Sequence, residues 1–422
     1  RRLLEKLIKR EIASMQRYGH ETAIIILDVD NFKNINDTYG HLAGDIILMN
    51  TAQRLVRCLR DVDTVIRLCG DEFVVLMEDV EDTREAVSAA GRIQSAIQEP
   101  FTVQESAIFT SVSIGIVLSR SDYNDPDEVL RDADTALLRA KYMGRAQHAI
   151  FDPLMQQEAR EQIELEKDLR EAIGREDFSI NYQPIVSIAN ERLIGFEALL
   201  RWNHPCKGVI SPDVFIPLAE DTDLILPLGK FVLRKACKDM AEWLSLFGED
   251  LPYSVSVNIS AKQLKSERLV DDISSALMEA GLSPGHLVIE ITESSIIKDM
   301  NTALSILLKV KDMGVRLHLD DFGQGYSSIN LLHKLPFDTM KIDRGFVTGI
   351  AENTMNRRVV ETIIGLGHTM HKQVIAEGIE DKREAEALKR FSCEQGQGFL
   401  YAKPMTKSEA EAYMASQLSL SK

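Results

Sequence analysis

The second half of the chain carries about eight short apolar segments alternating with helical stretches over roughly 250 residues, and this alternation restricts the fold more than any other feature. In order the segments are "SINYQPIV", "LIGFEALLRW", "SVSVNIS", "LVIEITE", "VRLHLDD", "FDTMKID", "QVIAEGI" and "CEQGQGFLY". Strands separated by helices build parallel sheets, and this number over this length fits a (β/α)8 TIM-type barrel. Each segment also holds a polar residue within or at the end of its apolar run: Gln183, Glu197, Asn258, Glu290, Asp320 with Asp321, Lys341, Glu377 and Gln397. In "LVIEITE" the carboxylate of Glu290 stands among Val, Ile and Leu, where an ionised group is costly unless something pairs with it. A buried, hydrogen-bonded carboxylate accounts for one such residue. It does not account for every segment at once.

Strand ends of such a barrel converge on one face, where active sites lie. Glu197, Glu290, Asp320, Asp321 and Glu377 brought together there would repel one another, and several would protonate unless divalent cations removed the repulsion. Oxygen ligands from Glu, Asp and Asn suit Mg²⁺ or Mn²⁺, and the lack of a His cluster argues against zinc. Asp320 and Asp321 point to opposite sides on a regular strand but can diverge at its end, so that one bridges two ions. Two ions side by side are the usual device for in-line displacement at phosphorus.

The first half alternates differently. "AIIILDVD" is a strand, "AGDIILMNTAQRLVRCLR" is helical, and "DTVIRLCGDEFVVLME" gives two strands around a tight turn at Cys69, Gly70 and Asp71. A helix, the strand "FTSVSIGIVL" and the helix "DEVLRDADTALLRAKYMG" follow, which suits an α+β unit with helices against an antiparallel sheet. Asp28 ends an apolar run, and Asp71 sits where Gly70 tolerates positive φ and lets a ligand approach the backbone. Taken alone, the turn reads better as a plain polar hairpin. Between the halves, Asp152 and Pro153 form an N-cap and first-turn pair. A stiff connecting helix is expected over 152–174, dividing the chain into domains at 1–151 and 175–422.

A chain of 422 residues exceeds what one core usually serves. The net charge of -16 repels nucleic-acid backbones, so a phosphate-bearing ligand needs local metal ions or a few Arg and Lys. The 5 cysteines are scattered with no CxxC pair, which points to reduced thiols and a cytoplasmic location. No apolar run approaches bilayer-spanning length, and there is no signal-peptide pattern. The chain opens on "RRLLEKLIKR" without Met, as expected of a fragment of something longer, in which a membrane anchor would lie upstream.

The motifs "EALLRW", "VNIS", "EITE", "DDFGQGYSS", "KID", "AEGIE" and "QGF" resemble the EAL cyclic-di-GMP phosphodiesterases over about 165–415. The resemblance implies opening of one phosphodiester of cyclic di-GMP to give linear pGpG. It implies Glu197, Asn258, Glu290 and Asp320 as ligands of one metal, with Asp320 and Asp321 serving the second. Lys341 would hold or polarise the attacking water, and Glu377 would act as base or second-metal ligand. Gln183, Arg201 and Gln397 would bind substrate, and Glu293 would anchor the "DDFGQGYSS" loop, which in the family links dimer contacts to catalysis. Gln324 departs from the small residue or Thr usual in that loop, and Ser392 stands where Gly is common.

"LDVDNFKNINDTYGHLAGD" and "RLCGDEF" resemble the GGDEF diguanylate cyclases over about 1–150, a palm-like fold that condenses two GTP. By that resemblance Asp28, Asp71 and the Val29 carbonyl would bind Mg²⁺, while Asn36 and Asp45 would read guanine. Lys141 and Arg145 would contact the triphosphate, Glu72 would support catalysis, and Arg60 with Asp63 would form an inhibitory product site. Cys69 replaces the first Gly of the signature, and the segment that usually opens the domain and links it to an upstream sensor is missing. The expected activity is a metal-dependent phosphodiesterase, working as a homodimer, whose first domain binds GTP or retains some synthesis. Two alternatives remain: a bifunctional enzyme with net cyclase output, and a non-catalytic cyclic-di-GMP receptor.

Overall fold

The computed structural model describes residues 2–18, 21–80, 82–103, 106–119, 123–175, 177–248, 251–297, 299–323 and 329–419. The chain divides into two compact units, Arg1–Leu165 and Glu166–Lys422. One helix, Pro153–Ala172, crosses the division, and Asp152 Oδ1 accepts the Leu154 amide at 2.9 Å at its start.

In the first unit the main sheet comprises β1 (Ala23–Val29), β2 (Thr64–Cys69), β3 (Glu72–Met77), β6 (Val112–Leu118) and β7 (His148–Ile150), in the order β2-β3-β1-β6-β7. A separate ribbon pairs β4 (Phe101–Val103) with β5 (Ser106–Ile108). All pairings in the main sheet are antiparallel except β6 with β7. The unbroken run "AIIIL" in β1 follows from its place in the middle: Ile25 and Leu27 join one core, and Ile24 and Ile26 the other. A strand covered on both faces needs no polar alternation. Helix Pro126–Tyr142 lies so close to β6 that a Cβ on Gly115 would stand 2.3 Å from the Ala133 carbonyl oxygen.

The second unit closes a barrel from β8 (Phe178–Ser187), β9 (Leu193–His204), β11 (Ser254–Asn258), β12 (Leu287–Thr292), β13 (Arg316–Phe322), β14 (Thr339–Ile342), β15 (Gln373–Ala376) and β16 (Gln395–Gly396). The short β10 (Gly208–Ile210) pairs with the far end of β9. The expected barrel is present, with one departure from a uniform (β/α)8 order. β8 runs antiparallel to both its neighbours, β9 and β16. The segment 188–192 between β8 and β9 is too short for a helical crossover, so the two strands form a hairpin. Among the described residues, no helix is long and apolar enough to cross a membrane.

Candidate functional site

The barrel strands carry the predicted residues to one place through their register. Gln183 stands opposite Glu197 on β8 and β9, Asn258 opposite Glu290 on β11 and β12, and Glu290 opposite His318 on β12 and β13. The centre of the cluster is Lys341, on β14 and fully buried. Its Nζ lies 2.5 Å from Glu377 Oε1, 2.8 Å from Glu290 Oε2, 3.5 Å from Asp320 Oδ1 and 3.6 Å from Glu197 Oε2. Glu197 is held further by Asn258 Nδ2 at 2.6 Å and by Gln397 Nε2 at 2.7 Å, and Gln397 Nε2 also reaches Gln183 Oε1 at 3.1 Å. Gln397 Oε1 is buried without a hydrogen-bond partner among the described residues. A cavity of about 340 Å³ opens on the cluster, and Arg344, Glu380 and Phe399 join its lining.

A regular strand would send the Asp320 and Asp321 side chains apart. Here the pairing of β13 with β14 slips between Leu319 and Phe322, and Asp321 takes φ 54. That kink re-aims the second carboxylate, so oxygens of Asp320, Asp321 and Glu377 all lie within 4.8 Å of one another. The Asp321 amide also donates to Asp320 Oδ1 at 2.9 Å.

The charges do not balance. Burial alone would lower the Lys341 ammonium, yet Asp320, Glu197, Glu290 and Glu377 together hold it well above the usual lysine value. Burial pushes Asp320 up to about 6 against the pull of Lys341, and Glu290 and Glu197 add to the rise. Burial likewise lifts Glu377 well above the usual carboxylate range, and it lifts Asp321 with Asp320 as the next cause. Four carboxylates share one ammonium with a fifth, Asp321, beside them, and the ligand set is oxygen with an acceptor left over at Gln397. Such a set fits hard divalent cations.

His318 is a site residue that the sequence reading passed over. It is buried, burial lowers its pKa to about 3 with Lys341 and Arg316 reinforcing the effect, and Nδ1 of the neutral ring lies 3.3 Å from Glu290 Oε1. Its signal was the two-residue spacing to Asp320 on one strand, which puts both on the same face. Arg201 does not line the cavity. It donates to the Leu200 carbonyl at 2.9 Å, and burial lowers its pKa. Both Glu293 oxygens are buried without a partner among the described residues, and residues 324–328 of the loop assigned to it, Gln324 included, lie outside those residues. Ser392 has φ 62, the left-handed conformation that explains why glycine suits this position.

The first unit holds a smaller cluster. Register places Asp28 opposite Glu72, and Asp71 follows Gly70, whose φ is +54, in the connecting turn. Lys141 Nζ reaches Asp28 Oδ1 at 2.9 Å; burial nonetheless raises the Asp28 pKa, with Asp71 and Glu72 contributing. The Val29 amide donates to the Asp71 carbonyl at 3.3 Å. The exposed Cys69 Sγ lies 3.5 Å from Glu72 Oε2, and that contact raises its pKa. Asn36 and the exposed Asp45 stand on successive helices, Phe32–Tyr39 and His41–Cys58. Asn36 Oδ1 is buried without a partner among the described residues, in the space a side chain at Gly44 would fill. Arg145, at φ 61, precedes Ala146, whose amide donates to Asp30 Oδ2 at 3.1 Å. Asp30 also accepts from Ser111 Oγ and Ser113 Oγ, each at 2.7 Å, so this acid fastens the Arg145 loop to β6. Arg60 and Asp63 are engaged with each other at 3.1 Å, and Arg60 Nη1 meets Glu85 Oε1 at 2.7 Å.

Residues 166–404 match the EAL domain, and residues 1–147 match the diguanylate cyclase GGDEF domain. The chain belongs to the EAL domain family and carries a GGDEF domain ahead of it. Its relatives include the bifunctional diguanylate cyclase/cyclic di-GMP phosphodiesterase MucR of Pseudomonas aeruginosa, 39% identical over 415 residues that cover 98% of this chain and 60% of MucR. The cyclic di-GMP phosphodiesterase PdeR of Escherichia coli is 36% identical over 388 residues, covering 92% of this chain and 58% of PdeR. This chain thus spans less than two thirds of the length of either. A solved structure of the PaMucR phosphodiesterase in complex with c-di-GMP is 42% identical with a TM-score of 0.56, covering 58% of this chain and 99% of that one.

Proposed function

We propose that the second unit hydrolyses cyclic di-GMP to linear pGpG with Mg²⁺ or Mn²⁺ bound. The observation that carries this reading is the convergence of four carboxylates on one buried ammonium, together with the kink that turns a fifth, Asp321, toward Asp320 and Glu377. Glu197, Asn258, Glu290 and Asp320 would hold one ion, and Asp320 with Asp321 and Glu377 a second. Such ions supply charge neutralisation at phosphorus and a nucleophilic water at neutral pH. His318 keeps Glu290 oriented by donating to the oxygen that Lys341 does not take. Lys341 would hold or polarise the attacking water beside Asp320, and Glu377, 2.5 Å from the Lys341 ammonium, would act as base or as ligand of the second ion. Gln183 and Gln397 orient substrate through groups already linked to Glu197, with Arg201 outside the immediate lining.

The first unit would hold GTP with Mg²⁺ at Asp28, Asp71 and the Val29 carbonyl, with Glu72 assisting catalysis. Asn36 and Asp45 would read the base, and Lys141 and Arg145 the phosphates. Residual synthesis in a dimer is the second reading, favoured by the close approach of Asp28, Glu72 and Lys141. Arg60 and Asp63 would serve as a product site only by releasing each other, and Glu293 would act on its loop. The test is nucleotide chromatography after separate incubation with cyclic di-GMP and with GTP, in Mg²⁺ and in Mn²⁺. Cyclic di-GMP is expected to give pGpG. Binding of ligand and metal without pGpG defeats the first reading, and a forced dimer that yields no cyclic product from GTP defeats the second.

A further inference from the structure

The barrel unit holds a second cavity, of about 360 Å³, that shares no lining residue with the acidic one. It lies among three helices, Ile225–Phe247, Ala261–Leu264 and Arg268–Ala280, and the segments that lead into them. The buried Leu233 and Leu269 and the exposed Leu226 and Pro227 give it an apolar surface. Its charges leave one cation over. Asp272 holds Lys230 at 2.8 Å and Asp223 holds Lys262 at 2.6 Å, whereas Arg268 has no ion pair among the described residues.

Gln263, only 5% exposed, lines the same cavity. Its Oε1 accepts from the Ser260 amide at 3.1 Å and from Ser260 Oγ at 3.0 Å. A backbone amide can only donate, so these bonds fix which end of the side chain is oxygen. Nε2 is left with no hydrogen-bond partner among the described residues. The facing helix is cut back to admit it: a Cβ on Gly229 would stand 1.8 Å from Nε2. A donor placed this deep calls for an acceptor. The first turns of Ile225–Phe247 and Arg268–Ala280 also border the cavity, and neither is capped by a side chain, so the positive ends of both helix dipoles stay unanswered.

We propose that this cavity binds a small organic anion, a carboxylate carried on an apolar chain, at a site distinct from the nucleotide site. The carboxylate accepts from Gln263 Nε2 and draws on Arg268, and the chain covers the four apolar residues. The volume suits a small molecule rather than a partner's helix, since pockets for such ligands begin at about 300 Å³. A cation of the same shape would face Arg268, both helix ends and a donor it cannot satisfy. None of these residues takes part in the proposed hydrolysis, so the two readings stand or fall separately.

Calorimetric titration of the metal-free full chain with octanoate and with octylammonium at neutral pH tests the site. Octanoate is expected to saturate one site per chain, and octylammonium to bind at least about 10-fold more weakly. Gln263→Glu keeps the oxygen that Ser260 contacts and the capping box it belongs to, but replaces the donor by a second acceptor. It should weaken octanoate about 10- to 100-fold. Arg268→Ala, at an exposed position, should weaken it about 2- to 5-fold, and more at low salt than at high. Saturable binding that both variants leave unchanged means an adventitious site elsewhere and overturns the proposal. Equal binding of octylammonium, or no saturable binding of octanoate, overturns it too. Should Gln263→Glu unfold early in a thermal scan, Arg268→Ala and the comparison of the two probes still decide.

Discussion

The two units each gather acids around a lysine, but they do so at different depths. In the barrel, Lys341 and Glu290 are fully buried and the acids come from β9, β12, β13 and the end of β15, so the barrel must close before the cluster exists. In the first unit, Asp28 and Glu72 meet across one antiparallel pair, Asp71 adds itself through a turn, and Lys141 remains 28% exposed. Water screens the sheet unit's cluster and is largely excluded from the barrel's, and Coulombic effects grow steeply with that exclusion. The same residue types should therefore show large, metal-linked effects in the barrel and modest ones in the sheet unit.

The largest expected effect is on turnover. Asp320→Ala removes the acid common to both proposed ion sites and should lower kcat for cyclic di-GMP by about 10³-fold or more, measured as pGpG release in Mn²⁺. Asp28→Ala should abolish Mg²⁺-dependent retention of GTP while pGpG release continues. Loss of hydrolysis in Asp28→Ala would break the comparison, since the clusters would then not act separately.

Stability should separate them next. Lys341→Met leaves buried carboxylates without their cation and should destabilise the metal-free protein by about 3–5 kcal/mol in urea unfolding. Lys141→Met breaks a part-exposed pair and should cost less than about 1 kcal/mol. Mn²⁺ should restore part of the first loss and none of the second. Similar costs for the two lysines would mean that depth does not distinguish the sites.

Acid titration sharpens the same point. The Asp320 value of about 6 in the fold lies above that of an unfolded aspartate, about 3.9. Its contribution to metal-free stability is therefore full below about pH 4 and lost as pH rises through about 6. Metal reverses the demand, because a ligand must be deprotonated to bind. The affinity for Mn²⁺, followed by calorimetry, should weaken up to about tenfold per pH unit below 6. A Mn²⁺ affinity that does not change between pH 7 and pH 5 would show that Asp320 is not a ligand.

What the sequence disclosed follows the same division by depth. Polar residues inside apolar runs are costly, so Glu197, Glu290, Asp320 and Lys341 announced themselves, and the strands carrying them are where the pattern put them. His318 hid because an imidazole in a strand is unremarkable until the strand is paired with β12. The reversal of β8 was legible only as a link too short for a crossover helix. That Asp320 and Asp321 would depart from regular strand geometry was legible, but its form, a positive φ at Asp321 beside the register slip with β14, was not. Asp30, two residues beyond Asp28, gave no sign that three donors from β6 and its neighbours would claim it. Arg344 follows the quoted "KID" and Glu380 ends "AEGIE", yet nothing in the sequence showed the 2.7 Å ion pair that joins them.

The smallest effect compares two backbone positions instead of charges. Ser392 at φ 62 and Gly70 at φ +54 occupy the same left-handed region, one with a side chain and one without. Ser392→Gly relieves about 1 kcal/mol of backbone strain but returns some of it as entropy of the unfolded chain, for a net gain of a few tenths. Gly70→Ala meets no atom within 4 Å, so its cost of about 1 kcal/mol should be conformational alone. Thermal unfolding of both variants checks the pair, and it also bears on the charge argument. Gly70 precedes Asp71 directly, whereas Ser392 precedes the buried Cys393, whose Sγ donates to the Val374 and Gln395 carbonyls. If Gly70→Ala weakened GTP binding without the expected loss of stability, the turn would be shaped for its ligand rather than for the fold, and the sheet unit's cluster would depend on backbone geometry as closely as the barrel's depends on burial.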